Sequence, residues 1–344
     1  MDNIGAQQMR FRCAIAAVNH EDRKIIHVYC QDTSGGIREV TCENGKWSGG
    51  TERDIIAHGI LGTPIVAICN DVDQMTHVFY IGERNMVRHV CRQQDFSHHG
   101  EWRDGDLNHE NIEVAPYSMM AACCMRGAGS GNDKQQMRLY VQMKDNHIQE
   151  YGCEENRGHD SGDKSGQRWR KMEKISRALP GTGMACTCSV RGRGKENCIR
   201  LFMQDQHNNI IDHCSRDGKN WENGNMSIKQ ALPRTDLAAT SCGENDTRVF
   251  YIDRENHVRE MIMEMQSGMF SNSERWAEGH FDQPCVSGSQ VAAISWSGRG
   301  SGGGKGEDEC NIRVYFQAGH DVTAISEWMY RGRWEEGRRS LPPA

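Results

Sequence analysis

The sequence of 344 residues contains no apolar run near the roughly 18 residues that a membrane-spanning helix needs. Its first eight residues, Met1 to Gln8, lack the charged and apolar regions of a secretory signal. These two absences predict a soluble chain without membrane insertion. We expect it to be made without a cleaved signal, and to be either cytoplasmic or exported to the cell surface by another route.

The sequence also lacks a dense basic block. Lys and Arg number 41 against 47 Asp and Glu, and the formal net charge is −6, so nucleic acid is not an expected partner. Aromatic residues make up only 7% and hydrophobic residues 37%, whereas glycines number 37. This composition indicates many short strands joined by turns and argues against a helical protein.

The 15 cysteines do not form a recognisable framework. An odd count in a long chain without a signal argues against a set of structural disulfides. Most cysteines, Cys242 among them, lie in predicted strands, and we interpret them as small buried hydrophobes. No C-x-x-C pair with a second half is present, so no metal site and no cofactor are predicted. The Gly298-x-Gly300-x-x-Gly303 segment matches a dinucleotide fingerprint formally, but no helix follows it, so we expect a flexible strand connection.

What the sequence does contain is a unit that repeats six times. Each unit has an alternating strand with a basic residue at one fixed place, and a run of small apolar residues precedes that strand. The basic strands are residues 26–31, 76–81, 137–142, 199–204, 247–252 and 312–317. Self-similarity with several strands per unit predicts one all-β domain, a six-bladed β-propeller of short antiparallel blades around a central axis. The predicted blades span about residues 11–52, 62–108, 117–176, 182–231, 236–282 and 289–341.

A second fixed place holds an acidic residue in five units and His89 in the second, and a tryptophan follows it in each unit. The acidic place lies twelve residues after the basic one in five units and fourteen after it in the sixth. Arginine, a carboxylate and an aromatic ring together suit a neutral sugar, because they supply donors, acceptors and an apolar face. Several similar weak sites favour a lectin, since simultaneous engagement raises avidity. A plain cross-strand ion pair, worth under about 1 kcal/mol when exposed, is the structural alternative.

The units resemble the fungal fucose-specific lectins of the orange-peel-mushroom type from about residue 11 to residue 340. The resemblance is clearest in Ile312–Gln317, in Ala324–Trp328 and in Trp334–Gly337. It implies a six-bladed propeller that binds fucosylated glycans and glycoproteins between adjacent blades, without catalysis and without a metal. It also implies that a homodimer is possible.

The same resemblance assigns site residues. In the family, the Arg and Glu of one blade meet the Trp of the following blade, and an aromatic residue three places after the following blade's Glu stacks on the sugar. The most complete expected site is Arg248 and Glu260 with Tyr330 and Trp334. The others are Arg138 and Glu150 with Trp221, Arg313 and Glu327 with Trp47, Arg200 and Asp212 with Trp276, and Glu39 with Trp102.

Several positions depart from the family pattern. His27 and His77 replace the first two arginines and His89 replaces the second glutamate, so we expect the second site to be inactive and the first to be impaired. The stacking place holds Cys42, Arg92, Cys153, Ser215 and Met263 in the five blades other than the sixth. Loss of a stacking ring costs on the order of 1 kcal/mol. We therefore predict three or four working sites of unequal strength.

Two other functions remain open at this point. A sialidase-like glycosidase shares the six-bladed architecture, but the Asp-box-like segment Ser215–Trp221 has Gly immediately after Asp and is not repeated. Glycoside hydrolysis also usually needs a pair of carboxylates across one bond. A propeller that serves as an interaction scaffold and has lost sugar binding is the second alternative, and the altered first and second units favour it.

Overall fold

A computed structural model describes the chain in eleven stretches. They are residues 7–20, 25–70, 74–93, 100–126, 135–155, 167–191, 196–242, 246–267, 272–298, 309–321 and 323–343. Most of the glycine-rich connection predicted around Gly298–Gly303 lies outside these stretches. The described residues form six antiparallel sheets, and the predicted six-bladed β-propeller is confirmed.

The first three sheets contain thirteen strands. Blade 1 has β1 (Ile15–Asn19), β2 (Ile25–Gln31), β3 (Gly36–Glu43), β4 (Lys46–Gly49) and β5 (Ile55–His58). Blade 2 has β6 (Ile65–Asn70), β7 (Met75–Ile81), β8 (Val87–Gln93) and β9 (Arg103–Asp104). Blade 3 has β10 (Met120–Arg126), β11 (Gln135–Gln142), β12 (His147–Glu155) and β13 (Gln167–Arg177). The described residues form short 3-10 helices at Glu52–Asp54, Glu83–Asn85 and Asp106–Glu110.

The last three sheets have four strands each. Blade 4 has β14 (Ala185–Arg191), β15 (Glu196–Gln204), β16 (Ile210–Ser215) and β17 (Trp221–Ile228). Blade 5 has β18 (Leu237–Ser241), β19 (Thr247–Ile252), β20 (His257–Ser267) and β21 (Asn272–Pro284). Blade 6 has β22 (Val291–Gly298), β23 (Glu309–Phe316), β24 (Ser326–Arg331) and β25 (Trp334–Glu336).

Within each blade the strands follow one another as an antiparallel meander, and the first strand lies nearest the axis. These first strands contact one another in a ring, which the contact between β22 and β1 closes. Small side chains such as Ala16, Ala121 and Ala238 allow the close approach, and with their neighbours they surround an axial cavity of about 110 Å³. Six strands converge here, so the small apolar residues seen in the sequence are a packing requirement.

A buried glutamine ends the second strand in three blades and directly follows it in blade 6, and it joins each of these blades to the next. Gln31, Gln142 and Gln204 donate from Nε2 to the main-chain oxygens of Ile60, Leu179 and Leu232 in the following blade's entry loop. Gln317 makes the corresponding bond to the Arg10 oxygen and accepts from the Arg12 amide, which connects blade 6 to the first described segment. Because these amide side chains are fully buried, losing one would leave buried polar groups unpaired at a cost of roughly 1–3 kcal/mol.

The hydrophobic core is divided among the blade boundaries. Each of six clusters of buried residues contains side chains from two adjacent blades. One cluster, for example, contains Phe250 of blade 5 and Phe316 of blade 6. One assignment from sequence is wrong: Cys242 is not a free buried thiol but forms a disulfide with Cys310, which lies in blade 6. Among the described residues, no helix is long and apolar enough to cross a membrane.

Candidate functional site

The basic and acidic places of each unit lie on the second and third strands of one blade, on the face that meets the next blade. We number the six interfaces by the blade that supplies these residues, so interface 6 lies between blades 6 and 1. In each blade the acidic place stands directly opposite an aromatic residue two places after the basic one, as Glu260 does opposite Phe250. Side chains alternate along a strand, so Arg248 and Phe250 point to the same face.

These aromatic residues position the tryptophans. At every interface the ring packs edge-on against the Trp of the following blade, with centroids 5.7–6.2 Å apart and interplanar angles of 82–89°. The pairs are Tyr29–Trp102, Phe79–Trp169, Tyr140–Trp221, Phe202–Trp276, Phe250–Trp334 and Tyr315–Trp47. Sequence reasoning missed the role of these aromatic residues, although the repeat shows one at this place in all six units. The Trp of one blade does lie against the basic and acidic residues of the preceding blade.

A glycine on the outer strand makes room for the acidic side chain. A Cβ at Gly224, Gly279 or Gly337 would lie 2.1–2.6 Å from the carboxylate of Asp212, Glu260 or Glu327, respectively. In blades 4 and 5 the pairing register shifts beside these glycines. The outer strand then turns main-chain amides toward the carboxylates, and Met226 donates to Asp212 at 2.9 Å. Such charge-assisted bonds fix the carboxylate in one orientation.

Interface 5 brings together all four residues predicted for it. Arg248 Nη1 donates to Glu260 Oε1 at 2.8 Å, and Trp334 Nε1 donates to Glu260 Oε2 at 3.2 Å from the next blade. The Tyr330 ring lies 4.4 Å from the Arg248 guanidinium carbon and 5.2 Å from the Trp334 ring. Burial acts to lower the pKa of Arg248, but Asp246 and then Glu260 raise it above its usual value. The result is a fixed cation beside an aromatic wall that is partly open to solvent.

Interface 3 contains polar groups that are buried without partners. Arg138 Nε lies 3.5 Å from Glu150 Oε1, which is beyond a good hydrogen bond, while Tyr140 donates to the same oxygen at 3.1 Å. Arg138 Nε, Glu150 Oε2 and Trp221 Nε1 are buried and have no hydrogen-bond partner. Burial raises the pKa of Glu150, and the charge of Arg138 opposes this only in part. Two donors and one acceptor at this interface are therefore without hydrogen bonds.

Interface 6 repeats the geometry with a closer ion pair. Arg313 Nη1 donates to Glu327 Oε1 at 2.6 Å, and Tyr315 donates to the same oxygen at 3.1 Å. The Arg313 guanidinium carbon also lies 5.7 Å from the centre of the Trp296 ring. Trp47 of blade 1 covers Tyr315, so blades 6 and 1 complete this interface together.

Interface 4 keeps the predicted ion pair but adds a second carboxylate. Arg200 Nη1 donates to Asp212 Oδ2 at 2.6 Å, and Nη2 of the same arginine donates to Glu274 of blade 5. Trp276 donates its indole N–H to Asn225 at 3.1 Å rather than to the acidic residue. Sequence reasoning missed Glu274, which compensates for the shorter Asp212 side chain. Arg200 Nε is buried without a hydrogen-bond partner, but the other polar groups named here already bind one another.

Interface 1 contains a guanidinium at the place where the family pattern has a stacking aromatic ring. Arg92, at the stacking place of blade 2, donates to both oxygens of Glu39 at 2.8 and 2.6 Å and lies over the Trp102 ring at 4.7 Å. His27 also contacts Glu39, with 3.1 Å between His27 Nδ1 and Glu39 Oε1. Burial acts to raise the pKa of Glu39, but His27 and then Arg92 lower it to about 2. An arginine from the next blade thus occupies the stacking place and neutralises the carboxylate.

Interface 2 has no ion pair at the two repeated places. His77 Nδ1 lies 2.9 Å from His89 Nε2, and His89 stacks on Phe79 with centroids 4.6 Å apart. Burial lowers the pKa of His77 to about 4 and lowers the pKa of His89 well below its usual value, so both rings are neutral. Trp169 is 2% exposed here, whereas the other five tryptophans of the repeat are partly exposed.

Comparison with known proteins gives a consistent family. The model of the fungal fucose-specific lectin family matches residues 9–344. A fucose-specific lectin of Aspergillus fumigatus is 32% identical over 351 residues, covering 100% of each chain. A fucose-specific lectin of Aleuria aurantia is 24% identical over 318 residues, covering 90% of this chain and 88% of its own.

Solved structures show the same fold. The structure of SapL1 lectin in complex with α-methyl fucoside has a TM-score of 0.77 and 31% identity, and covers 99% of this chain and 100% of that one. A six-bladed β-propeller structure of Aleuria aurantia lectin has a TM-score of 0.72 and 22% identity, with 97% of each chain covered, and supports the fold alone.

Proposed function

The chain belongs to the fungal fucose-specific lectin family, and on that premise we propose that it binds fucosylated glycans without catalysis, at interfaces between blades. The observation that carries the proposal is interface 5. There Glu260 accepts hydrogen bonds from Arg248 of its own blade and from Trp334 of the next, beside Tyr330. This arrangement offers guanidinium donors, a carboxylate acceptor and an aromatic wall to a neutral sugar.

The six interfaces are not equivalent in this proposal. Interface 3 supports binding because three buried polar groups lack partners, and a sugar hydroxyl can both donate to Glu150 and accept from Arg138 or Trp221. Interface 6 supports it because Arg313 and Glu327 pair beside Trp47. We therefore assign the strong sites to interfaces 3, 5 and 6.

The remaining interfaces are weaker for different reasons. At interface 4, Glu274 and Asn225 already engage Arg200 and Trp276, so a sugar must displace existing hydrogen bonds. At interface 1, the two terminal nitrogens of the Arg92 guanidinium donate to both carboxylate oxygens of Glu39. Interface 2 has no charged pair to offer, and its Trp169 is buried. The proposal is three strong sites, one weaker site at interface 4, and little or no binding at interfaces 1 and 2.

The axial cavity supports a lectin over a sialidase-like enzyme. Its lining comes mainly from apolar residues of the six first strands, with Asp236 and Gln290 beside them, and the residues that the structure places around it include no arginine. A sialidase-like site would need a cluster of arginines there to bind the substrate carboxylate. Incubation with a fluorogenic sialoside should give no turnover above buffer, and turnover would contradict the non-catalytic assignment.

Calorimetry with methyl α-fucoside tests the main proposal. We expect fewer than six sites and unequal affinities, because the interfaces differ in their free polar groups. Six equal sites, or no binding at all, would contradict it. A homodimer, which would multiply the sites and raise avidity for fucosylated surfaces, is part of the same proposal. Light scattering on the purified chain measures it, and a monomer at all concentrations would remove that part.

A further inference from the structure

Three side chains at interface 2 form a compact group with no role in the proposed function. His77 and His89 face each other at 2.9 Å, and Cys91 stands opposite His77 on the neighbouring strand. One ligand atom from each residue lies within 4.8 Å of one from each of the others, and all three side chains are buried. In the part of the chain that the structure describes, this is the one such group of three. We propose that His77, His89 and Cys91 bind a zinc-type transition-metal ion.

The ligand chemistry favours this class of ion. Two imidazole nitrogens and one sulfur suit Zn²⁺ and its neighbours in the first transition row, and do not suit Mg²⁺ or Ca²⁺, which prefer oxygen. A tetrahedral zinc site with usual bond lengths separates its ligand atoms by about 3.4–3.6 Å. The two histidine nitrogens would have to move apart by roughly half an ångström, and the thiol would close in by side-chain rotation.

The hydrogen bond between the two rings marks the pair of nitrogens that an ion would bind. A neutral imidazole has one donor and one acceptor nitrogen, so the contact between His77 Nδ1 and His89 Nε2 satisfies one nitrogen of each ring. Coordination would replace this single hydrogen bond by two metal–nitrogen bonds. The other two nitrogens, His77 Nε2 and His89 Nδ1, are buried without a hydrogen-bond partner and would not take part.

The Cys91 thiol lies near one positive and two negative side chains. Arg103 stands opposite Cys91 in the strand pairing and is a hydrogen-bond partner of the thiol, while Asp104 and Asp106 lie close enough to act on it electrostatically. Arg103 is exposed and can turn toward solvent when a cation binds. On binding, Cys91 loses its thiol proton to water and coordinates as the thiolate, so one proton is released for each ion bound.

The same place in blade 4 provides a matched control. Cys214 follows Asp212 by two residues, as Cys91 follows His89. There the basic and acidic places hold Arg200 and Asp212, and Arg200 donates to both Asp212 and the Cys214 sulfur. A half-buried thiol in the same strand position therefore lacks the two imidazoles, and Cys214→Ser tests whether any thiol of this kind binds the probe.

The test uses the full chain, stripped of metal with a chelator and titrated with Co²⁺ as a spectroscopic probe for zinc. We expect one tight equivalent per chain, a thiolate-to-cobalt charge-transfer band in the near ultraviolet, and displacement by Zn²⁺. Cys91→Ser should abolish the band, and His89→Gln should weaken binding by about tenfold or more, the scale on which even outer-shell losses act. Cys214→Ser should change neither.

Fucoside stoichiometry, measured on the same variants, keeps the result interpretable. The Cys91→Ser and His89→Gln proteins should bind methyl α-fucoside as the parent does, which shows that they are folded and separates this proposal from the sugar sites. Absence of Co²⁺ binding in the parent protein would overturn the metal site. Binding that persists with unchanged affinity and spectrum in both variants would mean an adventitious ion only, and would also overturn it.

Discussion

Interfaces 5 and 2 are built from the same strands of the repeat, yet only interface 5 holds a pair of opposite charges at the basic and acidic places. At interface 5, Arg248 and Glu260 are opposite charges, and Trp334 is partly exposed above them. At interface 2, two neutral histidines occupy the same places and Trp169 is buried. The difference indicates that the blade fixes where a site can form. The residues at the basic and acidic places determine whether that interface carries charge and whether its tryptophan is partly exposed.

The physical reason lies in solvation. An ion pair keeps a strong demand for further hydrogen bonds, so the surrounding structure must leave it access to donors, acceptors or water. Neutral rings demand less solvation than an ion pair, and His89 stacks on Phe79 and lies against Trp169. Replacing two charges by two imidazoles therefore exchanges an ion pair for a contact of packed rings.

Removal of the basic residue should separate the two interfaces most strongly. Arg248→Ala leaves the buried Glu260 without its cation, and we expect a loss of roughly 3 kcal/mol in unfolding free energy together with the loss of one fucoside site. His77→Ala, at the same place, should cost about 1–2 kcal/mol and leave the number of sites unchanged. Denaturant unfolding and calorimetry measure both. Equal losses of stability would contradict the comparison.

Removal of the indole donor should have the next largest effect. Trp334→Phe takes away the hydrogen bond to Glu260 and should weaken fucoside binding at interface 5 by about 1.5–3 kcal/mol, the usual value for a bond to a charged group. Trp169 has no partner for its N–H, so Trp169→Phe should not alter fucoside binding. If both variants bind as the parent does, the indole of Trp334 has no part in recognition.

The stacking place should contribute less. Tyr330→Leu removes the ring that covers Arg248 and should lower affinity at interface 5 by about 1 kcal/mol. Cys153 occupies the same place at interface 2, and Cys153→Ala should leave fucoside titrations unchanged. Competition calorimetry measures the change in affinity. A Tyr330→Leu protein with parental affinity would show that the ring only packs against the guanidinium.

The smallest expected effect is a pH dependence at interface 3. Burial raises the pKa of Glu150, so this carboxylate takes up a proton at higher pH than an ordinary glutamate as the solution is acidified. The protonated form is a weaker acceptor for sugar hydroxyls, and affinity should fall between neutral and mildly acidic pH. An Arg248→Ala, Arg313→Ala background isolates the effect, with Arg138→Ala as its reference. Affinity independent of pH in that background would contradict it.

Much of the site followed from the sequence because it repeats in register. The twelve-residue spacing put Arg248 and Glu260 on neighbouring strands, and the family resemblance supplied Trp334 and Tyr330 from the next blade; the structure brings all four into contact. The aromatic residues that pack edge-on against the tryptophans also recur in the repeat, two places after the basic residue. Because side chains alternate along a strand, these rings point to the same face as the basic residues.

Three contacts that sequence reasoning missed cross a blade boundary. Arg92 reaches Glu39 and Glu274 reaches Arg200 from the following blade, and Cys242 bonds to Cys310 in the next sheet. No spacing rule predicts these contacts, because the two partners come from different units. Whether they meet depends on how far each side chain reaches across the blade boundary. The shorter Asp212 and the substituted His27 were visible, but the residues that compensate for them were not.

The sequence by itself determined the number of blades, the order of strands and the places where charged and aromatic side chains stand, since a period of alternating strands admits one way of burying its apolar faces. Only the tertiary structure decided which of six similar interfaces is open. That outcome depends on how side chains from two blades satisfy one another: at interface 2 the two histidines hydrogen-bond to each other beneath a buried Trp169, and at interface 5 Trp334 stays partly exposed over an ion pair.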